Sequence, residues 1–475
     1  MTLEQRQRLR YVTTDFLATS LAWLLFNVFR YHQIEAIGGF STFRSYYEVR
    51  PVYMGQIFFP LMMMALYALS GYYNRPLFRS RVDDFLVTAS TAIIGSVAIY
   101  LMALFNDPIP DRLSNFMLLL LLFLLLFGVV YAGRLIITLL GRRIVNRGDV
   151  SQRFAIIGVN AESRELRRRL ERYRSRGNRV VAYIDAEAPD EEHKLFKRYD
   201  SLPVYPIDNL AAAVERQNIQ GIILTEESGA MENLSETLNK LYPLDIPIFL
   251  SPKSLQLVSR MNRVGDIAGE PLVDIFSAHI PEYTRNLKRT GDVMVSAIAL
   301  LALSPLMLIL AAWIRLDSKG PVFYRQERIG FHKKPFRIIK FRTMIPEAEA
   351  EGPRLSAEGD ERVTKCGRFL RKYRLDELPQ FWNVLRGEMS LVGPRPEREY
   401  FISKILQKAP YYSLLHQVRP GLTSWGMVKH GYASTVDEMI ERSRFDLIYL
   451  ENISLMTDMK ILLHTVNTVL TGRGV

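Results

Sequence analysis

The sequence predicts a membrane protein in three parts: an N-terminal four-helix transmembrane bundle, an α/β domain, and a C-terminal α-rich domain with a further apolar helix. Four apolar stretches fill the first 140 residues, and short β-like runs alternate with helical patterns from Ser151 onwards. One more uncharged stretch, the 22 residues Val293 to Ile314, is interrupted by Ser304-Pro305. These observations place the parts at 1–148, 149–275 and 276–475.

Composition agrees. A chain of 475 residues has room for two or three domains, and 48% hydrophobic residues is high for a soluble protein. The formal charge of +12 suits an anionic membrane surface or anionic substrates such as nucleotides and lipid phosphates. Nucleic acid ranks low: no zinc-finger spacing or recognition-helix signature appears, and the basic residues adjoin apolar segments. One cysteine, Cys366, excludes an intramolecular disulfide and a cysteine metal cluster.

The four apolar stretches run from about Tyr11 to Phe29, Val52 to Tyr73, Phe85 to Phe105 and Phe116 to Leu140, each about long enough to span a bilayer. No small-residue cleavage site follows the first, so it reads as a span and not as a signal peptide. Arg6, Arg8 and Arg10 precede it, Arg75, Arg79 and Arg81 lie between the second and third, and Arg142, Arg143 and Arg147 follow the fourth. The positive-inside rule sends all three clusters to the cytoplasm, although Arg30, Arg44 and Arg50 in the first external loop weaken the signal.

FAIIGV at 154–159, VVAYID at 180–185, IQGIIL at 219–224 and IPIFL at 246–250 read as strands, with a basic helix at 162–174 between the first two. The alternation predicts a parallel sheet of Rossmann-like α/β type. A dinucleotide site does not follow, because Gly158 stands alone where a GxGxxG turn needs three glycines. Asp185, at the end of the second strand, reads as a turn residue for the same reason, and the domain as structural or regulatory.

Val293 to Ile314 is long enough to cross a bilayer, at about 33 Å of straight helix. Yet Arg285, Lys288 and Arg289 precede it, and Arg315, Lys319, Arg325 and Arg328 follow it, so both ends are pulled to the cytoplasm. Pro305 lacks a helical donor and clashes with the Leu301 carbonyl, which forces a kink, and the Ser304 hydroxyl can satisfy a backbone carbonyl freed nearby. A re-entrant membrane helix at 290–314, broken at Ser304 and Pro305, reconciles length with charge.

Chemistry concentrates in Arg371 to Pro396, RKYRLDELPQFWNVLRGEMSLVGPRP. Asp376 and Glu377 are adjacent carboxylates with Arg371 and Arg374 just upstream. Acids among arginines suggest phosphate chemistry, since a carboxylate attacks phosphorus only when the phosphate's charge is neutralised. Neighbouring residues face different ways, which favours two roles for the pair, one nucleophile and one metal ligand. The same five residues, LDELP, taken alone, read more simply as a helix start with acids on its dipole. Glu347 to Asp360, acidic and rich in small residues, reads as a mobile loop.

From Lys288 to the end, several motifs stand in order: KRTGDVMVSAIALLALSPL at 288–306, PVFYRQERIG at 321–330, FRIIKFRTM at 336–344, the central stretch, VRPGLTSWG at 418–426 and FDLIYLENISLMTDMKILLHT at 445–465. Together they resemble the catalytic domain of the monotopic polyprenol-phosphate phosphoglycosyl transferases, in the large form that carries a four-helix membrane bundle and a Rossmann-like domain. The resemblance implies an α-rich catalytic domain with a helix broken at Ser-Pro, in a bacterial inner membrane with its soluble domains on the cytoplasmic face. It implies that a sugar 1-phosphate passes from a UDP-sugar to polyprenyl (undecaprenyl) phosphate with release of UMP, the first membrane step of exopolysaccharide, capsule, O-antigen or glycoconjugate synthesis. Asp376 matches the nucleophile that becomes a phosphosugar-aspartate, Glu377 the Mg²⁺ holder, and Arg371 a phosphate-binding arginine. Pro394, Arg395 and Pro396 match a turn that holds the nucleotide-sugar, and Lys340 and Arg342 a motif beside the site. Glu388 reads equally as a supporting acid or a turn residue.

The family usually has Thr-Gly-Trp, then a small residue and Gln-Val, where this chain has Thr423-Ser424-Trp425-Gly426-Met427-Val428, which puts contacts at that turn in doubt. Asp446 to Leu470 reads as one amphipathic helix, with packing on the core as its default role. Two other functions compete. A membrane-anchored nucleotide-sugar dehydratase or epimerase lacks its glycine fingerprint here, and its Tyr-x-x-x-Lys spacing occurs only at Tyr400 to Lys404. A non-catalytic export scaffold would not need Asp376 and Glu377. The sugar and the oligomeric state, a homodimer included, are not legible in the sequence.

Overall fold

A computed structural model describes residues 1–38, 40–74, 76–77, 81–104, 112–146, 152–172, 178–185, 202–225, 234–251, 264–267, 270–274, 280–345, 348, 360–431 and 433–470. The acidic loop expected at Glu347 to Asp360 lies outside these, apart from Ala348 and Asp360. The chain forms two compact units, one of Met1–Ser151 with short additions, the other holding the α/β domain and the chain from Lys288.

Four long helices make most of the first unit: α1 (Leu3–Gly38), α2 (Arg50–Leu69), α3 (Arg81–Ile99, ending in a π-helical turn Tyr100–Leu104) and α4 (Arg112–Asn146). Each is long and apolar enough to cross a membrane. They share a core in which Trp23 and Phe26 of α1, Phe59 and Met63 of α2, Ala92 of α3 and Leu122 and Leu126 of α4 are buried. Their register is fixed by polar groups that the sequence reading did not single out. Arg134 of α4 is fully buried; its Nε and Nη2 donate to Asp15 of α1 at 2.8 and 2.7 Å, and its Nη1 donates to Thr88 of α3 at 2.8 Å. The guanidinium lies 3.6 Å from the Tyr72 ring centroid and 4.2 Å from that of Tyr67. Buried charge in an apolar medium is tolerated only when matched in this way.

The α/β domain begins with β1 (Gln152–Ile157), α5 (Ala161–Arg172) and β2 (Asn178–Asp185). It continues through β3 (Val204–Pro206), α6 (Leu210–Gln217), β4 (Gly221–Thr225), α7 (Leu234–Leu241), β5 (Ile248–Ser251), β6 (Val264–Ile267) and β7 (Glu270–Asp274). The sheet order is β3-β2-β1-β4-β5-β7-β6. β1 to β5 pair in parallel, as the alternation predicts, but β6 and β7 close the edge antiparallel, because a short connection can join only an antiparallel pair. Gly158 after β1 has φ +113°, so the turn uses a glycine for its backbone conformation.

Next comes α8 (Glu282–Asp317), in the second unit from Lys288 onwards, which runs without a break in its helical pattern past Pro305. Ser304 Oγ donates to the Leu301 carbonyl at 2.8 Å, the acceptor that Pro305 has no N–H to reach. After α8 come a hairpin of β8 (Phe323–Ile329) and β9 (Pro335–Phe341), then α9 (Lys365–Lys372), α10 (Phe381–Arg386), β10 (Ser390–Val392), α11 (Glu399–Lys408), β11 (Gly421–Thr423) and α12 (Trp425–Lys429). The single C-terminal helix expected at Asp446 to Leu470 is instead two, α13 (Val436–Glu451) and α14 (Leu455–Leu470). Ser454 breaks it by capping α14, its Oγ accepting the Thr457 N–H at 3.1 Å.

Candidate active site

The site is assembled where the end of β9, the end of α9 and the turn after β10 meet. Gly367 permits the first approach: a Cβ there would lie 2.1 Å from the Thr343 carbonyl, so only glycine lets α9 lie against the strand that leads into it. Thr364 caps α9 by accepting the Gly367 N–H at 3.0 Å. Arg371, in the last turn, then reaches Thr343, its Nε donating to Oγ1 at 3.0 Å.

Arg374 follows with φ +54°, a left-handed residue that swings the chain into a 3₁₀ turn, Leu375–Gln380. The turn contains Pro379, and it buries Asp376 and Glu377 at 9% and 6% exposure. Asp376 faces a cavity of about 360 Å³, whereas Glu377 is gripped from behind. Lys340 Nζ donates to Glu377 Oε1 at 2.6 Å, and Arg395 and Arg374 lie 3.8 and 3.9 Å from its oxygens.

The two acids are therefore driven apart. Burial pushes Asp376 up to about 6; Lys340 and Arg371 pull it down, and the charge of Glu377 adds to the rise. Burial pushes Glu377 the same way, but Lys340, Arg395 and Arg374 outweigh it and hold its carboxyl well below the usual range. One acid is a fixed anion, and the other titrates within reach of neutral pH.

Arg395 is aimed by two glycines. Gly393 and Gly421 sit where β10 and β11 pair in parallel, and a Cβ on Gly393 would lie 2.3 Å from the Arg419 carbonyl. The Gly421 N–H donates to the Pro394 carbonyl at 2.9 Å, and Arg328 donates to the Pro396 carbonyl at 3.1 Å, so both prolines anchor the turn. Pro394 and Pro396 line a small hollow beside His416, while Arg395 also lines the main cavity.

The expected site residues thus divide. Asp376, Arg371, Lys340, Arg342 and Arg395 line one cavity. Arg342, however, spends its donors on the end of α8, reaching the Ser318 and Lys319 carbonyls at 2.6 and 2.9 Å. Arginine at a helix C-terminus satisfies carbonyls that have no helical partner. Ser304 and Pro305 are in α8, away from the cavity lining. Glu388 accepts from Asn383 at 2.6 Å; the same amide donates to the Arg337 carbonyl and accepts from the Ile339 N–H, so Glu388 supports the fastening of α10 to β9. Ser424 caps α12 by accepting the Met427 N–H, and Met427 Sδ accepts from Arg395 at 3.1 Å. The unusual Ser424 and Met427 are thus built into the turn.

The sequence reading missed a second group across the cavity. Glu397, 5% exposed, accepts from Arg442 at 2.6 Å and from Arg328 at 3.1 Å, with Arg395 at 3.9 Å. Glu397 directly follows the Gly-Pro-Arg-Pro turn, the one signal that could have flagged it. Among the described residues, no three His, Cys, Asp or Glu side chains converge as metal ligands.

A sequence profile described as "Bacterial sugar transferase" matches residues 283–472, and one described as "CoA-binding domain" matches 68–252. Over 188 residues, 40% of this chain and 44% of the relative, the chain is 45% identical to a UDP-N-acetylgalactosamine-undecaprenyl-phosphate N-acetylgalactosaminephosphotransferase of Aeromonas hydrophila. It is 39% identical over 241 residues to a UDP-glucose:undecaprenyl-phosphate glucose-1-phosphate transferase of Caulobacter vibrioides, covering 50% of this chain and 84% of the relative. A Bacillus subtilis protein described as uncharacterized sugar transferase EpsL is 39% identical over 189 residues, 40% of this chain and 90% of that protein. For the larger relatives, the chain spans about half of their length.

Proposed function

Because the chain belongs to the bacterial sugar transferase family, the polyprenol-phosphate phosphoglycosyl transferases, we propose that it moves a sugar 1-phosphate from a UDP-sugar to undecaprenyl phosphate and releases UMP. The observation that carries this reading is the split pair: Asp376 faces a cavity lined by arginines, and Glu377 is locked behind it by Lys340.

In this reading, an Asp376 oxygen attacks the sugar-bearing β-phosphorus of the UDP-sugar. An O–P bond forms, the bond from that phosphorus to the bridging oxygen breaks, and UMP leaves with the electron pair. Arg371 and Lys340 neutralise charge on the phosphoryl oxygens in the transition state. An oxygen of the polyprenyl phosphate then attacks the same phosphorus, and Asp376 departs as a free carboxylate. The attacking acid must be ionised, and a raised carboxyl is more nucleophilic once it is.

The donor set suits Mg²⁺ that arrives with its substrate. Magnesium is held by one or two carboxylates plus substrate phosphates in sites of this kind; Lys340 takes Glu377 Oε1, so Glu377 would hold the ion through Oε2, with Asp376 beside it. Bound there, the ion would offset charge on the diphosphate. We read the apolar helices as anchoring the enzyme in the bacterial inner membrane, with α8 entering and leaving on the cytoplasmic side. Basic residues at both of its ends and the Ser304 hydrogen bond at Pro305 support that reading. The product would feed exopolysaccharide, capsule, O-antigen or glycoconjugate assembly.

The test is UMP release by purified protein with Mg²⁺, undecaprenyl phosphate and a panel of UDP-sugars. Lipid-dependent release with at least one sugar is expected. The Asp376→Asn variant, which keeps the shape and removes the charge, should lose at least about 10³-fold in kcat, the scale seen when a nucleophile is removed. Full turnover by that variant would rule out the aspartyl intermediate.

A further inference from the structure

The cavity has two basic halves, and the half across from Asp376 has no task in the mechanism above. There, Arg328 and Arg442 meet at Glu397 and Arg398 lines the same wall, with Arg395 between the halves. Glu397 is the acid that Arg328 and Arg442 share. The next acid, Asp446, faces Arg442, but burial pushes it up to about 6 even as the Gly426 N–H and Arg442 pull it down. Two guanidiniums on one buried carboxylate leave a net positive charge, which an incoming anion would relieve.

Arg328 shows that cost. Burial holds it below the ordinary arginine range; Glu397 pulls it back, and Arg395 and Arg398 push it further down. Its side chain lines the cavity, and its Nε, buried, has no hydrogen-bond partner among the described residues. A buried donor left unpaired calls for an explanation, and an anion that draws the guanidinium forward supplies one.

We propose that Arg328 and Arg442, held by Glu397, form with the cavity-lining Arg398 a second phosphate seat, which takes the α-phosphate of the nucleotide-sugar and then the phosphate of the departing nucleoside monophosphate. The proposal rests on the UDP-sugar reading and adds a residue set to it. Arg395 chooses the nucleotide over the lipid: its guanidinium lies 3.8 Å from Glu377 and 3.9 Å from Glu397, so one side chain links the two seats. Two adjoining seats bridged by one arginine fit the two phosphates of a diphosphate. Two separately bound monoesters would not need the bridge. Glu397 is a positioning residue that keeps Arg328 and Arg442 together before the substrate arrives.

The experiment uses full-length protein in detergent and the Arg398→Gln variant, because Arg398 is half-buried and α11 does not depend on it for a side-chain cap. UMP affinity is read by calorimetry, alongside KM for the UDP-sugar and KM for undecaprenyl phosphate. Loss of one charge-assisted hydrogen bond should raise the UMP Kd and the UDP-sugar KM by about tenfold. The lipid KM should stay within about twofold, and Arg328→Lys, which keeps the charge but loses the Nε donor, should weaken UMP in the same direction. Unchanged UMP affinity in both variants would overturn the proposal. A rise in the lipid KM alone would also overturn it, by giving the seat to the lipid phosphate. If wild-type protein turned over no UDP-sugar, yet Arg398→Gln still weakened UMP binding, the transfer reading would fall and the seat would stand.

Discussion

Lys340 carries more of the chemistry than its place in a basic stretch implies. It donates to Glu377 at 2.6 Å, and it is also the main charge drawing Asp376 down against its burial. On the proposed mechanism Asp376 attacks only when ionised, and its carboxyl is pushed up to about 6, so the rate should fall about tenfold per unit as pH drops well below that value. In Lys340→Met the downward pull is gone and the carboxyl rises. The acid limb of kcat/KM against pH should move to higher pH, measured with the UDP-sugar below its KM. A limb that stays in place would separate Lys340 from the ionisation of Asp376.

At the scale of elements, the site depends on backbones that approach too closely for side chains. Gly393→Ala would set a Cβ 2.3 Å from the Arg419 carbonyl, a contact with backbone that cannot swing away. β10 and β11 would have to part, costing about 1–3 kcal/mol as overpacking does, and Arg395 would move with the turn. A lower Tm together with a higher UDP-sugar KM is expected, and an unchanged Tm would show that the strands yield freely. For α8, the prediction concerns topology. Its 36 residues would reach about 54 Å if straight, well beyond a hydrocarbon core of about 30 Å. In a Cys366→Ala background, single cysteines replacing Arg285 and Lys319 should both react with an impermeant maleimide from the cytoplasmic side alone. Reaction from opposite sides would mean that α8 crosses.

Over the whole molecule, what the sequence revealed and what it hid divide by distance along the chain. Apolar runs, strand alternation, the Leu-Asp-Glu-Leu-Pro segment and the Ser-Pro pair are local patterns, so the apolar helices, the parallel strands, the acid pair and a hydroxyl for a carbonyl near Pro305 could be read from local sequence. The buried lock of Arg134 on Asp15 joins residues 119 apart, and Glu397 meets Arg328 and Arg442 across 69 and 45 positions. No local period encodes such partners. The same division bears on which parts the chemistry needs. Every residue lining the cavity comes after Leu316, and the Bacillus relative aligns over 90% of its own length with only 40% of this chain. A fragment of residues 281–475 should therefore retain UMP release. It should also be less stable, because it gives up contacts that the α/β domain makes with the catalytic domain. His332 and Lys333, both with positive φ at the tip of the β8–β9 hairpin, are held by Asp245 and the Pro243 carbonyl, and Leu414 packs on the core beneath that sheet. Left-handed backbone at non-glycine residues persists only when its surroundings impose it. Without Asp245 the tip relaxes, and the strand that carries Lys340 begins a few residues on. Lower Tm with kcat within about tenfold is the expected pair of results for the fragment, a loss of the size that small misplacements of supporting groups cause. A folded fragment with no turnover at all would make the α/β domain part of the active site's construction.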